Sequence, residues 1–159
     1  MNDKQKDLVK RWVANLRSGN YKQGKSRLRI EDMFCCLGVL CDTLRPELTQ
    51  AGHVADWRAP TNQVMRSLFS GASDFVVDGE EVKTVLPGSI VRDYGLIGDE
   101  GDFFITQAMR RKFPKCEAFA MHKTYCLMHL NDVQQWTFDE IADLLEFFPE
   151  CFFKKEQGF

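Results

Sequence analysis

The chain has 159 residues, of which 44% are hydrophobic and 28% are charged. These proportions are typical of one globular domain with a full-sized core, and they exclude a largely disordered chain. No apolar run reaches the roughly 20 residues that a membrane span requires, and the first residues, MNDKQKDLVK, lack the apolar segment of a secretion signal. We therefore expect a single domain over residues 1–159, in the cytoplasm, with no membrane partner.

The formal net charge of −2 argues against nucleic acid as a partner, because such binding usually depends on a clear excess of lysine and arginine. The charges are unevenly placed along the chain. Basic residues cluster early, at Arg17, Lys22, Lys25, Arg27 and Arg29. Acidic residues cluster in the last third, at Asp132, Asp139, Glu140, Asp143, Glu146 and Glu150. This distribution is compatible with a local anion site.

The first 35 residues predict a helix followed by a hairpin. Apolar residues recur at helical spacing from Asp3 to Arg17, and Ser18-Gly19 supplies the stop. After Tyr21 the charged residues alternate with others, which is strand spacing and would place three cations on one strand face: Lys25, Arg27 and Arg29. Glu31-Asp32 then permits a tight turn into residues 33–35.

The middle of the chain predicts short elements. CCLGVLCDTL is apolar on most sides and fits a buried helix or strand, of which we favour a helix that stops before Pro46. TNQVMRSLF predicts a helix with Thr61 as N-cap and with Val64 and Leu68 facing inward. In FVVDGEEVKTV, Asp78-Gly79 lies between two strand-like runs and predicts a hairpin.

The last third predicts two further helices. LPGSIVRDYGL has Pro87 near a helix start and Gly95 at the stop. Residues 98–125 show no clean period. TFDE, at residues 137–140, is a capping box before a wide apolar stripe that ends ahead of Pro149.

Six cysteines stand at positions 35, 36, 41, 116, 126 and 151. A chain of this size does not need disulfides, so we expect reduced thiols. C-x-x-C pairs are absent, and His53, His122 and His129 have no ligand spacing, so the sequence predicts no zinc. We expect no metal and no cofactor.

Residues 19–26, GNYKQGKS, match the phosphate-binding loop pattern G-x-x-x-x-G-K-[ST] of nucleoside triphosphatases. In a true P-loop a buried strand precedes the pattern and a helix follows it, whereas here a predicted helix precedes it and a predicted strand follows. The one acidic residue after an apolar run that could hold the metal ion, Asp78, enters a hairpin turn. We therefore predict no ATP or GTP hydrolysis.

Two interpretations of the basic run remain. Its residues are either a solvated strand face or an anion site without hydrolysis. In the second case the site is formed by Gln23, Lys25, Arg27 and Arg29, since guanidinium groups suit phosphate oxygens.

Several segments occur in an order that resembles a known group of proteins. They are W-x-x-x-L-R-S-G-x-Y-x-Q-G at residues 12–24, CCLGVLCD at 35–42, LP at 86–87, YGL at 94–96, LND at 130–132 and FDEIADLLE at 138–146. The set resembles a small family found in tailed-phage genomes and prophages. The resemblance implies a phage accessory protein that acts in the host cytoplasm, with no agreed reaction. The Gly-Lys-Ser spelling is not part of the family pattern.

A cysteine nucleophile is an alternative. Cys35 and Cys36 precede the predicted helix, where a thiol can have a lowered pKa. His122 or His129 would then act as the base, with Asn131 or Asp132 as the orienting group. Against this, both cysteines have apolar neighbours and fit small buried hydrophobes.

The polar pair Asn131-Asp132 fits either simple turn chemistry or the polar rim of a ligand pocket. Tyr21, Trp12, Trp57 and Trp136 fit either stacking on a nucleobase or packing in the core.

Together these patterns predict a single compact α+β domain, with a small antiparallel sheet of two hairpins packed by the N- and C-terminal helices. The leading functional hypothesis is a non-enzymatic phage accessory protein that binds a small phosphorylated, nucleotide-like ligand, in the phage setting a signal of host defence. Its predicted binding residues are Gln23, Lys25, Arg27, Arg29, Tyr21 and Asn131. The alternatives are a hydrolase of such a ligand, using Cys35 or Cys36 with His129 and Asp132, and a module that inhibits a host protein. Self-association is left open.

Overall fold

The computed structural model of the chain describes residues 1–155 and shows one α+β domain around a single hydrophobic core, which confirms the predicted fold class. The helices are α1 (Asp3–Arg17), α2 (Cys36–Gln50), α3 (Gln63–Leu68), α4 (Gly88–Tyr94), α5 (Gln107–Lys112), α6 (Glu117–Met121), α7 (Leu127–Asp132) and α8 (Phe138–Phe147), and a 3₁₀ turn follows at Pro149–Phe152. The strands are β1 (Lys22–Gln23), β2 (Arg29–Ile30), β3 (Met33–Phe34), β4 (Ala55–Arg58), β5 (Ala72–Val77), β6 (Glu80–Val82), β7 (Asp102–Phe104) and β8 (Thr124–Cys126). Within the described range, none of the helices has the length and apolar character needed to cross a membrane.

The larger sheet contains both predicted hairpins. Its strand order is β1-β3-β2-β5-β4, with β6 also paired to β5, and every pair is antiparallel except β1 with β3. Asp78 and Gly79 link β5 to β6 with φ angles of 49° and 88°, as a two-residue hairpin turn of this type requires. A second, two-stranded sheet pairs β7 with β8 in the region where the sequence gives no period.

The first and last helices, which the sequence predicts to pack on the sheet, pack against each other. α1 buries an apolar stripe that includes Leu8, Trp12 and Leu16, and it contacts both α2 and α8. α8 begins with the predicted capping box, in which Thr137 and Glu140 satisfy each other's backbone amides. Most of the stability of these short helices comes from such packing of an amphipathic face.

Three predicted details of the helices are wrong. α2 does not stop before Pro46 but continues to Gln50, because the loss of one backbone hydrogen bond is offset by the burial of Leu44 and Leu48 on either side of the proline. α3 is capped by Asn62 instead of Thr61, and it buries none of its residues. Val64 and Leu68, predicted to face inward, are 64% and 69% exposed.

The first turn of α2 lies directly against the backbone of Leu28. The amide of Cys35 donates to the Leu28 carbonyl at 3.2 Å. A Cβ added at Gly38 would lie 1.9 Å from the same carbonyl oxygen, a distance that no side chain can occupy. Glycine in CCLGVLCD is therefore required by a close approach of two backbones.

We expect Gly38→Ala to lower the free energy of unfolding by about 3 kcal/mol or more, because helix and loop must separate to admit the methyl group. Urea denaturation measures the loss. The matched control is Gly52→Ala, where nothing lies within 4 Å and only the φ of +91° opposes alanine, at about 1–2 kcal/mol. An equal loss in both variants would contradict the steric argument.

Candidate functional site

The basic run of residues 25–29 does not form the predicted strand. β1 ends at Gln23 and β2 begins at Arg29, and Ser26 between them has a φ of 67°. Arg27 and Leu28 are consecutive and both buried, which alternation on a strand would not allow. The prediction of three cations on one strand face is therefore wrong, and the three side chains have different surroundings.

Arg27 forms a buried ion pair with Asp74 of β5. The guanidinium Nη2 lies 2.6 Å from the Asp74 carboxylate, the two residues are 5% and 0% exposed, and the Phe69 ring covers the guanidinium at 4.9 Å. The Nε of Arg27 and the second carboxylate oxygen of Asp74 have no hydrogen-bond partner among the described residues. The Arg27 guanidinium is therefore paired inside the protein and is almost inaccessible to solvent.

Gln23 and Asn131 hold the loop after β1 against the C-terminal helices. The amide of Gln23 donates to Asn131 Oδ1 at 2.9 Å and to the Trp136 carbonyl at 2.8 Å, and its oxygen accepts from the Phe138 amide at 3.0 Å. Asn131 is fully buried and donates to the Gly24 carbonyl. These contacts join the Q-G segment at residues 23–24 to the L-N-D segment at residues 130–132.

Asp132 completes the same network by accepting from Asn131 and from the backbone amide of Ser26. Asn131 and Asp132 belong to the last turn of α7. The amide that a P-loop would offer to phosphate is therefore occupied by a carboxylate.

Arg29 and Tyr21 belong to a cluster around Asp42. The Asp42 carboxylate accepts from the Tyr21 hydroxyl at 2.8 Å and from the Trp57 indole at 2.9 Å. The Arg29 guanidinium lies over the rings of Phe34 and Trp57, and its Nε donates to the Glu31 carbonyl. Burial raises the pKa of the Tyr21 hydroxyl, and its hydrogen bond to Asp42 raises it further.

Two carboxylates of this region, Asp42 and Asp74, are not among the predicted site residues, although the side chains around them bind to these two groups. Asp42 carries a signal, since it closes the segment CCLGVLCD. Asp74 precedes a strand-like run and has no spacing relation to Arg27.

A cavity of about 270 Å³ lies beside the loop that follows β1. It is lined by Gln23, Gly24, Lys25, Arg27, Ile30 and Met33. Lys25 is exposed and forms no ion pair with the described residues. Three of the six predicted binding residues thus meet at one cavity, hereafter the Lys25 cavity, whereas Tyr21, Arg29 and Asn131 do not line it.

The GNYKQGKS segment lacks the structural context of a P-loop. α1 ends two residues before it, and no helix begins at Lys25 or Ser26. A helix precedes the segment, as predicted, whereas the strand predicted to follow it is reduced to Arg29–Ile30. The helix N-terminus that would receive phosphate is therefore missing at this place.

The thiols are buried, and burial favours their protonated form. All six cysteines are buried and free. Burial raises the pKa of Cys35 to about 12 and that of Cys126 to about 11, and it also raises the pKa values of the other four. The ring of His129 stacks on Tyr125, and within residues 1–155 no histidine ring is hydrogen-bonded to a cysteine. The arrangement gives no support to a thiolate nucleophile.

Residues 1–148 match the model of a protein family described as a domain of unknown function, DUF8296. The chain belongs to the DUF8296 family. The match contains the Lys25 cavity, the Asp42 cluster and the Gln23 network, so these features lie within the family's extent. No curated protein and no solved structure matches the chain.

In this DUF8296 domain we expect Arg27→Met to lower the free energy of unfolding by about 3–5 kcal/mol, because Asp74 would remain buried without its partner. Chemical denaturation provides the measurement. Arg29→Met is the matched control, since that guanidinium is only partly buried and makes no ion pair with the described residues, and we expect it to cost about 1 kcal/mol. The double variant Arg27→Met/Asp74→Leu should recover most of the loss. An unchanged Arg27→Met protein would contradict a structural role for the pair.

We also expect all six thiols to react with iodoacetamide at pH 8 at least about a hundredfold more slowly in the folded protein than in urea, because burial limits both access and thiolate formation. Mass spectrometry of quenched samples follows each site. A cysteine that alkylates at its unfolded rate while the fold is intact would restore the hydrolase hypothesis.

Proposed function

We propose that this DUF8296 domain is a non-enzymatic accessory protein of tailed phages that binds a small phosphorylated ligand in the Lys25 cavity. The observation that carries the proposal is an exposed lysine that forms no ion pair with the described residues and lines one cavity together with Gln23 and Arg27. An ammonium group in this position attracts an anion, and a phosphate oxygen can accept its hydrogen bonds.

The charge around the cavity suits a ligand with a single phosphate group. Lys25 supplies one positive charge, while Asp74 neutralises Arg27. Ile30 and Met33 give the cavity an apolar wall for the remainder of the ligand. A nucleotide signal of host defence has these features, and the phage setting implied by the sequence resemblance makes it the most attractive candidate.

The geometry favours binding over reaction. The Ser26 amide of the GNYKQGKS segment donates to Asp132, and burial holds the pKa values of the thiols above their usual range. A bound phosphate would therefore meet a lysine and a pair of neutralised side chains, with no activated nucleophile beside it.

One observation favours a second candidate, the protein-interaction module. α3 exposes Val64 and Leu68, and the neighbouring Phe69 is 38% exposed. Apolar side chains gathered on one short helix are typical of contact surfaces. This alternative predicts that variants of Lys25 have no effect on the protein's function and that changes on α3 impair it.

Calorimetry against mono-, di- and cyclic nucleotides tests the proposal. We expect Lys25→Gln to weaken binding of the preferred nucleotide about tenfold or more, the effect of losing a charged hydrogen bond, with unfolding unchanged. Lys22→Gln is the matched control, because Lys22 is exposed, lies three residues away and does not line the cavity.

The proposal would be wrong if no member of the panel gave heat with folded protein. It would also be wrong if Lys25→Gln left the heat of every member of the panel unchanged, since all of them would then bind elsewhere.

A further inference from the structure

The end of the described chain separates two adjoining cavities. Phe153 pairs with Leu96 in an antiparallel bridge, and the Lys154 amide donates to the Gly95 carbonyl at 2.8 Å. A cavity of about 270 Å³ and a larger one of about 650 Å³ both have Lys154 and Lys155 in their walls. The two lysines are therefore shared by both spaces.

The smaller space, the basic cavity, gathers positive charge from three parts of the chain. Its walls contain four cations, Lys4, Arg92, Lys154 and Lys155, against one carboxylate, Asp93. None of the four cations forms an ion pair with the described residues. Four cations against one carboxylate give these walls an excess of positive charge, which favours an anion between them.

Lys4 is held in place at the rim of the basic cavity. Its ammonium donates to the Asp93 carbonyl at 3.2 Å and lies 4.2 Å from the centre of the Tyr94 ring. Gly95 permits this approach of α1 to α4, because its φ is +67° and an added Cβ would lie 3.2 Å from the Gln5 amide nitrogen. The cavity is thus formed by packed elements and not by loose side chains alone.

The larger space, the apolar groove, presents an aromatic ring. Phe104 is 50% exposed, and Ile97 and Phe153 continue the apolar wall. Two polar side chains, Thr106 and Glu150, also line the groove. A half-exposed phenylalanine with hydrogen-bonding groups nearby is the arrangement on which nucleobases stack.

We propose that the basic cavity and the apolar groove together bind a free nucleoside diphosphate. The phosphates would lie among Lys4, Arg92, Lys154 and Lys155, and the base would stack on Phe104. Four cations match the charge of a diphosphate better than that of a single phosphate. The Glu150 carboxylate can accept from a base N–H, whereas it would repel an anionic membrane surface, and this favours a free nucleotide over a lipid headgroup.

This site goes beyond the proposed function and does not depend on it. The Lys25 cavity shares none of its residues. Lys154 and Lys155 also lie outside residues 1–148, the part that matches the family model.

Calorimetry of the full chain with ADP, inorganic pyrophosphate and adenosine tests the site. We expect ADP to bind most tightly, and the double variant Lys154→Gln/Lys155→Gln to weaken ADP and pyrophosphate about tenfold or more. Phe104→Ser should weaken ADP about fivefold or more and leave pyrophosphate unchanged, because only the base loses its stacking surface. Raising the salt should weaken ADP binding to the unmodified protein.

The control variants distinguish binding at this site from a general effect of the protein's charge and from binding in the Lys25 cavity. Lys10→Gln/Lys123→Gln removes two exposed lysines that line neither space, and it should leave ADP affinity unchanged. Lys25→Gln should also leave it unchanged. ADP affinity lost only in Lys25→Gln would assign the heat to the Lys25 cavity and overturn this site.

Three further results would overturn the proposal. The first is the absence of heat with ADP in folded protein. The second is equal weakening by the two double lysine variants, which would reduce the effect to net charge. The third is binding to phosphatidylglycerol vesicles that Phe104→Ser abolishes while ADP gives no heat, which would assign the surface to lipid.

Discussion

The side chain of Gln23 connects the edge of the larger sheet to the junction of α7 and α8. One amide group makes three hydrogen bonds there, to Asn131, to the Trp136 carbonyl and from the Phe138 amide. Because Asn131 is fully buried, each of its polar atoms needs a partner, and the network supplies them. The junction thus joins the N-terminus of α8 to the edge of the larger sheet.

The same network determines what the basic run can do. Once the backbone of residues 24–26 is fixed by Asn131 and Asp132, Arg27 faces Asp74 in the interior and Lys25 remains at the surface. If Arg27 turned outward to a ligand, the Asp74 carboxylate would remain buried without a cation, which would greatly lower the free energy of unfolding. Each of the two side chains already has one buried polar atom without a hydrogen-bond partner among the described residues. Any anion at this place therefore depends mainly on Lys25.

Local patterns in the sequence predicted local structure well. The capping box at Thr137, the Asp78-Gly79 hairpin and the glycine stop at Gly95 were all predicted from short-range chemistry and are confirmed. The predictions fail where tertiary contacts override the periodicity of the local sequence. Arg27 does not follow the strand alternation, because it pairs with Asp74, 47 residues away. Helix α2 continues through Pro46 because Leu44 and Leu48, on either side of the proline, are buried.

In the candidate sites too, the sequence predicts which residues lie together only where these residues are close in the chain. Gln23, Lys25 and Arg27 are close in sequence, and the structure places them around one cavity. Asn131, also predicted, does not line the cavity but donates to the carbonyl of Gly24, which does. The cations of the basic cavity come from positions 4, 92, 154 and 155. No spacing rule relates residues so far apart, and only the packing of α1 against α4 and the C-terminal segment brings them together.

The net charge is a poor guide to anion binding in this protein, because many of the charged side chains form ion pairs with near neighbours. Arg17 of the early basic cluster binds Asp143 and Glu146 of the late acidic cluster, at 2.5 and 2.9 Å. Arg27 is cancelled by Asp74, and Lys22 lies 3.7 Å from Asp32. Among the described residues, what can attract a phosphate is the set of cations without such partners. At the Lys25 cavity that set is a single charge, whereas four cations and one carboxylate line the basic cavity, a local excess of positive charge that the net charge of −2 does not reveal.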